Sequence, residues 1–404
     1  MRSAGRETVD HPGVNFYGPF GIVGGLGSAA RGYLAALTAA GISVSVIPVN
    51  EMFVHHASVG KAGRAGQPPR HPISLVQANA DSVRRFLHFR SRSFARARYK
   101  IGLWVWELPA LRDEWWSEID HFDEIWAPST FCQRAVQAVT KKPVKVVPYV
   151  VSAVEPQGSG WREKLQIEKT AFVFLYMFDA ASFVTRKNPQ CLIDAFDSAF
   201  ADDPDVRLVL KVSNADLNPG FSEYLDALVR RDARCVVLRQ MMQEHELAAL
   251  VRACNCYVSP HRSEGFGLTV AEAMAQGVPA IATDYSGAAD FLTDEVGFPL
   301  RYRLIEVERG DGPYPKGAIW ADPSREHLQE LLRMVVAQPH AAAEKGRRPG
   351  AHASGVLRGR GGTTNWRTAR RDQAKGRGPI GEPLERPLAI AQPFAQPFRL
   401  NRSG

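Results

Sequence analysis

Two carboxylates, Glu264 and Glu272, stand with seven residues between them, on either side of the turn Gly265–Phe266–Gly267. Glycine in such a turn lets main-chain amides approach a ligand with no β-carbon in the way. A helix start aims several unpaired N–H groups in one direction, which favours an anion. The amides of Gly265, Phe266, Gly267 and Leu268, flanked by two carboxylates, therefore suit an anion that carries hydroxyl groups, the outline of a sugar nucleotide. Arg186 and Lys187 precede a helix and offer two adjacent cations for a diphosphate, and Lys211 near the next strand end is a third. His261 lies three residues before Glu264 and is either a packed strand-end residue or a donor contact. Glu107 closes IGLWVWE, where a carboxylate could take an acceptor proton or bind a sugar hydroxyl; a strand-end charge bonded to a loop is the alternative. Gly24, Gly25 and Gly27 form a second glycine segment, suited to an acceptor or phosphate loop.

Hydrophobic period and turn residues place these groups at the ends of α/β units. Residues 14–17 predict a strand, 29–40 a helix closed by Gly41, and 42–49 a second strand. This β–α–β opening implies a parallel sheet. Further strands are expected at 74–77, at 101–107 with Trp104 and Trp106 on one face, at 124–128 and at 144–149. Ser129 caps a helix running to Val139. Residues 151–169 read as a linker ending in a polar helix, and 51–72 as a long loop. A second series follows, with strands at 171–178, 206–212, 235–238, 255–259 and 280–283 and helices at 188–200, 221–231, 244–253, 269–276 and 327–336. Gly277 and Pro279 stop the helix that carries Glu272. The fold class is α/β: two Rossmann-like domains, 1–155 and 156–340, facing across a cleft.

The net charge of +8 belongs to the end of the chain. Residues 341–404 hold 13 Lys+Arg against 4 Asp+Glu, leaving 37 against 38 in the rest, so the body is close to neutral and nucleic acid is not an expected partner. That segment also has ten glycines and six prolines without hydrophobic period, which predicts a disordered tail, or a frame-shifted end, with no helix to pack back on a domain. A second basic cluster, Arg84 to Lys100, reads as a solvated helix face and loop, or as a patch touching anionic lipid heads or a phosphorylated acceptor. No apolar run reaches about 18 residues, so no membrane span is expected, and the polar first residues lack a leader core. Five cysteines without a CxxC pair predict reduced thiols in the cytoplasm.

The segment SEGFGLTVAEAMAQGVPAIATDYSG, with its E-x7-E, resembles the retaining glycosyltransferases of family 4 (glycosyltransferase group 1), which have the GT-B fold. YGPFGIVGGLGSAARG is similar to their acceptor-side glycine loop, and IGLWVWELP, DEIWAPSTFC, TRKNP and KGAIWADP resemble segments of one bacterial branch, in the expected order over residues 14–334. The resemblance implies an acceptor-side first domain and a donor-side second, with metal-independent transfer of a hexosyl unit from a UDP- or GDP-linked sugar to an acceptor hydroxyl, with retention. It implies no cofactor beyond that donor. Glu264 would meet the donor sugar, Glu272 the ribose hydroxyls, and Arg186 with Lys187 the diphosphate. Relatives work on polysaccharide or lipid-linked acceptors, so carbohydrate or lipid acceptors and a peripheral contact at the inner face of the cell membrane are expected. The chain departs from the pattern twice: Glu107 stands where the family often has a histidine, and Phe178 and Asp179 where a second basic residue usually falls, leaving its work to Arg186 and Lys187 or to Lys211.

Other signals are weaker. Gly25-Leu-Gly27-Ser-Ala-Ala30 matches a dinucleotide fingerprint, with Glu51 where a ribose-binding acid would fall, but comes some seven residues after its strand instead of at once. Asp203-Pro-Asp205 matches the metal-binding D-x-D expression but precedes a strand, so a turn is expected, and no His/Cys/Asp metal cluster stands out. The alternatives to a transferase are a sugar-nucleotide epimerase, a phosphorylase (for which no pyridoxal lysine is identified), an NAD-dependent enzyme, and a non-catalytic or inactivated sugar-nucleotide-binding protein of the same fold.

Overall fold

The computed structural model describes residues 13–52, 66–158, 160–201 and 203–348. The tail from 349 onward, and most of the expected 51–72 loop, lie outside the described residues.

Six strands, β1 (Val14–Gly18), β2 (Val44–Pro48), β3 (Ile73–Val76), β4 (Tyr99–Leu103), β5 (Glu124–Ala127) and β6 (Val144–Val146), form one parallel sheet in the order β2-β1-β3-β4-β5-β6. Six more, β7 (Phe172–Asp179), β8 (Val206–Ser213), β9 (Cys235–Leu238), β10 (Cys256–Ser259), β11 (Ala280–Thr283) and β12 (Phe298–Leu300), form a second in the order β12-β11-β10-β7-β8-β9. Parallel strands are covered by helices on both faces, which is why β7, β10 and β11 read as nearly continuous apolar runs. In each sheet the strand order reverses at its first strand, beside β3 in one and β10 in the other, and the crevice beyond the carboxyl ends there is where open α/β sheets bind ligands.

At four places among others the structure departs from the sequence reading. The first helix runs Gly25–Ala39, so Gly25 and Gly27 belong to its first turn and Gly24 caps it. The GLGS residues carry no apolar period, which hid this start, and a β-carbon on Gly27 would lie 1.9 Å from the Ile22 carbonyl. Strand β4 stops at Leu103, short of the expected Glu107. The amides of Val105 and Trp106 turn instead to Asn79 Oδ1, at 3.0 Å, and Cys132 Sγ, at 3.5 Å. An unforeseen antiparallel pair, β13 (Tyr302–Glu306) and β14 (Ile319–Pro323), is inserted after β12. Finally, a helix Pro339–Arg347 crosses the expected start of the tail, burying Ala342 and Gly346, with Gly346 against Pro279 and Lys345 over Phe298.

The hydrophobic core crosses the boundary between the halves. One cluster joins Phe16, Tyr33 and Tyr149 to the core of the second sheet. The other lies under the opposite face of the first sheet and takes in Val307, Tyr314 and Trp320 from the inserted hairpin. All five cysteines are free, four of them buried.

Candidate active site

A cleft of about 1680 Å³ lies between the carboxyl ends of the two sheets, large for a single ligand by the usual range of roughly 300–1,000 Å³. Its second-half wall is built on two crossovers. Beyond β7 the chain makes the short helix Val184–Lys187, flanked by Phe183 and Asn188, both at positive φ, the sparsely populated backbone region where strain collects at sites. Three hydrogen bonds hold this helix near the exit of β10: Tyr176 Oη to the Lys187 carbonyl at 2.6 Å, the Arg262 amide to the Arg186 carbonyl at 2.8 Å, and Asn188 Nδ2 to the Pro260 carbonyl at 3.1 Å. The result brings together residues 77 and 78 apart in sequence: Lys187 Nζ sits 2.5 Å from Glu264 Oε1, and Arg186 Nη1 sits 3.2 Å from the same oxygen.

The two cations are not equivalent. Arg186 is 3% exposed and also donates to the carbonyls of Ser263 and Ser182, at 2.7 and 3.1 Å, so it ties the turn together. Lys187 makes one side-chain bond among the described residues, to Glu264, and lines the cleft. Burial by itself would raise the Glu264 carboxyl, but the charges of Lys187 and Arg186 overcome it and hold the group at about 2. Lys211 lines the cleft from β8, bonded to Ser213; burial lowers its ammonium, and Asp179 works against that. Asp179 itself accepts from Asn214 at 2.8 and 3.0 Å.

The glycine turn is pressed against the first half. A β-carbon on Gly265 would lie 2.1 Å from Val105 Cγ2, and its carbonyl accepts from Ser129 Oγ at 2.6 Å. Gly267 caps the helix Leu268–Ala275 at φ +88°, a conformation that L side chains rarely adopt. Phe266 is buried between Tyr149 and Phe291. The start of the first helix approaches from the other side, and a β-carbon on Gly25 would touch Leu268 Cδ2 at 3.4 Å. Two helix N-termini, with Gly24, Gly25, Gly267 and Leu268, thus converge on the cleft.

Glu272 projects from that second helix into the cleft, and no protein hydrogen bond to its carboxyl is present among the described residues. Burial, with Glu244 nearby, pushes it up to about 8. Glu107 lies in the loop after β4 rather than on the strand, and faces the cleft with Tyr314 Oη 3.3 Å from its Oε2. Burial raises its carboxyl; Arg186 opposes this and Glu264 adds to it. Glu264 and Glu107 are therefore pushed in opposite directions, the pattern expected of two carboxylates with different tasks. His261 stands apart from the others: it is fully buried beneath the wall, its Nδ1 3.1 Å from both the Ser259 hydroxyl and carbonyl oxygens, and burial lowers it to about 4. It does not reach the cleft, so the packed strand-end alternative describes its place.

Sequence reasoning missed Ser286, whose Oγ accepts from the Glu264 amide at 2.8 Å and whose φ of 61° is the visible sign of a special position. It also missed Tyr314, which carries no local signal in DGPYPKG. Asp203-Pro-Asp205 is a turn, with Asp203 Oδ1 accepting from the Asp205 amide at 2.9 Å. Among the described residues no helix is long and apolar enough to cross a membrane.

Residues 159–301 match the family model of glycosyl transferases group 1. The chain is 28% identical over 191 residues to the uncharacterized glycosyltransferase YqgM of Bacillus subtilis, covering 46% of this chain and 50% of that one. It is 33% identical over 202 residues to the D-inositol 3-phosphate glycosyltransferase of Frankia alni, covering 45% and 44%. The alignments thus span about half the length of these relatives. Among solved structures, HepE of Anabaena in complex with UDP and glucose superposes with a TM-score of 0.59 at 16% identity, over 85% of this chain and 95% of that one. The sucrose-phosphate synthase of Thermosynechococcus elongatus gives 0.57 at 18%, over 83% and 93%. At these identities the likeness concerns the fold, two facing Rossmann-like domains of the GT-B kind.

Proposed function

We propose that this chain is a group 1 glycosyltransferase, a reading supported by the match of residues 159–301 to that family model, and that it transfers a hexosyl unit from a UDP- or GDP-linked sugar to an acceptor hydroxyl. The observation that carries this reading is Glu264, held between Lys187 and Arg186 in the turn that precedes the helix Leu268–Ala275, with Glu272 facing the same cleft. Loss of a nucleoside diphosphate develops negative charge on the leaving oxygen, and buried cations with oriented amides stabilise it far better than water does. In this reading Lys187 meets the diphosphate, Arg186 keeps the turn in shape, and Lys211 adds charge from the neighbouring strand. The amides from Gly265 to Leu268 receive the donor, Glu272 accepts from its ribose hydroxyls, and Glu264 lies against its sugar. These cations take the charge-neutralising role that a divalent metal would otherwise fill; retention is the stereochemistry this reading assigns to the transfer.

The first half contributes the acceptor side, through the start of the helix Gly25–Ala39 and through Glu107, whose raised carboxyl suits proton exchange with an acceptor hydroxyl. A carbohydrate or lipid-linked acceptor, in polysaccharide or glycolipid synthesis, fits a cleft of this size. The helix Val83–Ala95 exposes Arg85 and Arg92 together with Phe89, which supports peripheral contact with anionic lipid at the inner face of the membrane of a cytoplasmic enzyme. The test is donor turnover. Wild type incubated with UDP- and GDP-hexoses should release nucleotide diphosphate unaffected by a chelator, and Glu264→Gln should slow release by about 100-fold, the scale of one lost electrostatic group at a reacting centre. Equal release by the two proteins would overturn the reading.

A further inference from the structure

The hairpin between β13 and β14 begins at Tyr302, immediately after the segment that matches the family model. Its loop is closed on itself: Val307 and Ala318 are joined at 2.7 Å, and Asp311 and Tyr314 exchange main-chain bonds of 3.0 and 3.1 Å. It reaches the other half of the molecule, where Arg112 Nη1 donates to the Pro313 carbonyl at 3.1 Å. Its tip places one side chain, Tyr314, at the junction of three walls. The ring stacks on Trp106 of the first half with centroids 5.7 Å apart, meets Phe183 edge-on at 5.3 Å, and has the Arg186 guanidinium 5.8 Å from its centre. Only 3% of the residue is exposed, yet it lines the cleft, with its hydroxyl 3.3 Å from Glu107 Oε2.

We propose that Tyr314 is a positioning residue for the transfer reaction: the inserted hairpin delivers its hydroxyl to Glu107 and fixes that carboxylate on the acceptor side of the cleft. The inference rests on the glycosyltransferase reading for its consequence but on the contact itself for its existence. Glu107 follows the end of β4 in a loop, and its other fixed point is its carbonyl, which accepts from Ser263 Oγ. Without that partner the direction of the carboxylate would be left to the charges of Arg186, Lys187 and Glu264. The aromatic contacts on Tyr314 hold the ring in one place, so the hydroxyl has one direction in which to donate. The titratable and charged groups around Glu107 are Arg186, Lys187 and Glu264 from the second half, Tyr314 from the hairpin, and Cys132 and Tyr149 from the first half. Of these, Tyr314 is the side chain that hydrogen-bonds the carboxylate, and donation to the charged form favours that form.

The decisive comparison is Tyr314→Phe, which keeps the ring and removes the hydroxyl. The Glu107 carboxyl is followed by carbon-13 NMR on the full chain, assigned with Glu107→Gln, and nucleotide release from UDP-glucose and GDP-mannose is measured across pH. Removing the donor should move the Glu107 titration to higher pH. The acid limb of the release rate should move the same way, with the maximal rate down by about tenfold, the scale of a hydrogen bond to a charged group. Affinity for UDP or GDP should stay within about twofold of wild type, since a general loosening would weaken it too. An unmoved Glu107 titration in the Phe variant overturns the positioning role. A titration that moves in the Phe variant, together with a wild-type chain that releases no nucleotide, leaves the contact standing and overturns the transferase reading instead.

Discussion

At the residue scale the site is decided by which charge wins at each carboxylate. Glu264 and Glu272 are both drawn out of water by one turn and one helix, yet Glu264 falls to about 2 and Glu272 rises to about 8. The difference is the neighbours: two cations at 2.5 and 3.2 Å from Glu264, and beside Glu272 the acidic Glu244, whose effect Arg31 opposes. A raised carboxyl binds its proton in the folded protein at pH values where the unfolded chain has lost it. Its contribution is therefore whole below the unfolded value and is lost as pH rises through about 8. Glu272→Gln should be matched to wild type near pH 4, below the ordinary carboxyl value of 4.5, and melt higher than wild type at pH 9, by about 2 °C or more on the usual scale for a chain of this size. Thermal melts at the two pH values check this, and a wild type that gains on the variant at pH 9 would contradict the assignment.

At the scale of elements, the close approach of backbone to backbone sets what each turn tolerates. Gly27 sits in the first turn of its helix with the Ile22 carbonyl where a β-carbon would go, 1.9 Å away, while Gly24 has open space around it and only its φ of +120° to protect. Arg31 closes the same turn, donating from Nη1 to the carbonyls of Phe20 and Ile22 at 2.9 and 3.1 Å. Gly27→Ala must push a carbonyl that is already engaged, so it should cost about 1–3 kcal/mol as an overpacking change does. Denaturant midpoints should show the loss for Gly27→Ala.

At the scale of the whole molecule the two halves are joined by contacts of different worth. Asp290, from the second half, accepts from the Thr130 amide at 2.6 Å and from its hydroxyl at 2.5 Å, so it satisfies an open donor at the start of the helix Thr130–Gln137. At the cleft rim Glu244 pairs with Arg31 and accepts from Ser28, but the Glu244 side chain is 49% exposed. A capping interaction is worth about 1–2 kcal/mol and an exposed pair about 0–1 kcal/mol. Asp290→Ala should therefore lower the melting temperature more than Glu244→Ala, and hydrogen exchange should speed up at the Thr130 amide in the first variant and not in the second. Equal exchange in both would mean that Asp290 does not hold the halves.

Much of this was legible along the chain. Strands β9 and β11 and the helix Glu244–Ala253 fall where their period predicts, because parallel strands and amphipathic helices write their burial directly into local pattern. The turn from Glu264 to Glu272 announced itself through glycine, since its conformation needs that residue at Gly267. What tertiary structure alone decided are relations between distant segments. Pairing Lys187 with Glu264 depends on the strand order that sets β7 beside β10, and the division of labour between Arg186 and Lys187 depends on carbonyls contributed by Ser182 and Ser263. His261 lies under the wall because its ring nitrogens turn to Ser259 and Tyr285, a choice invisible in HRSEG. Tyr314 sits in a loop of glycines and prolines with no period at all, and its place beside Glu107 exists only once the hairpin crosses to the first half. Local pattern records how a segment is buried; it holds no information about which remote segment does the burying, and the site is made of such encounters.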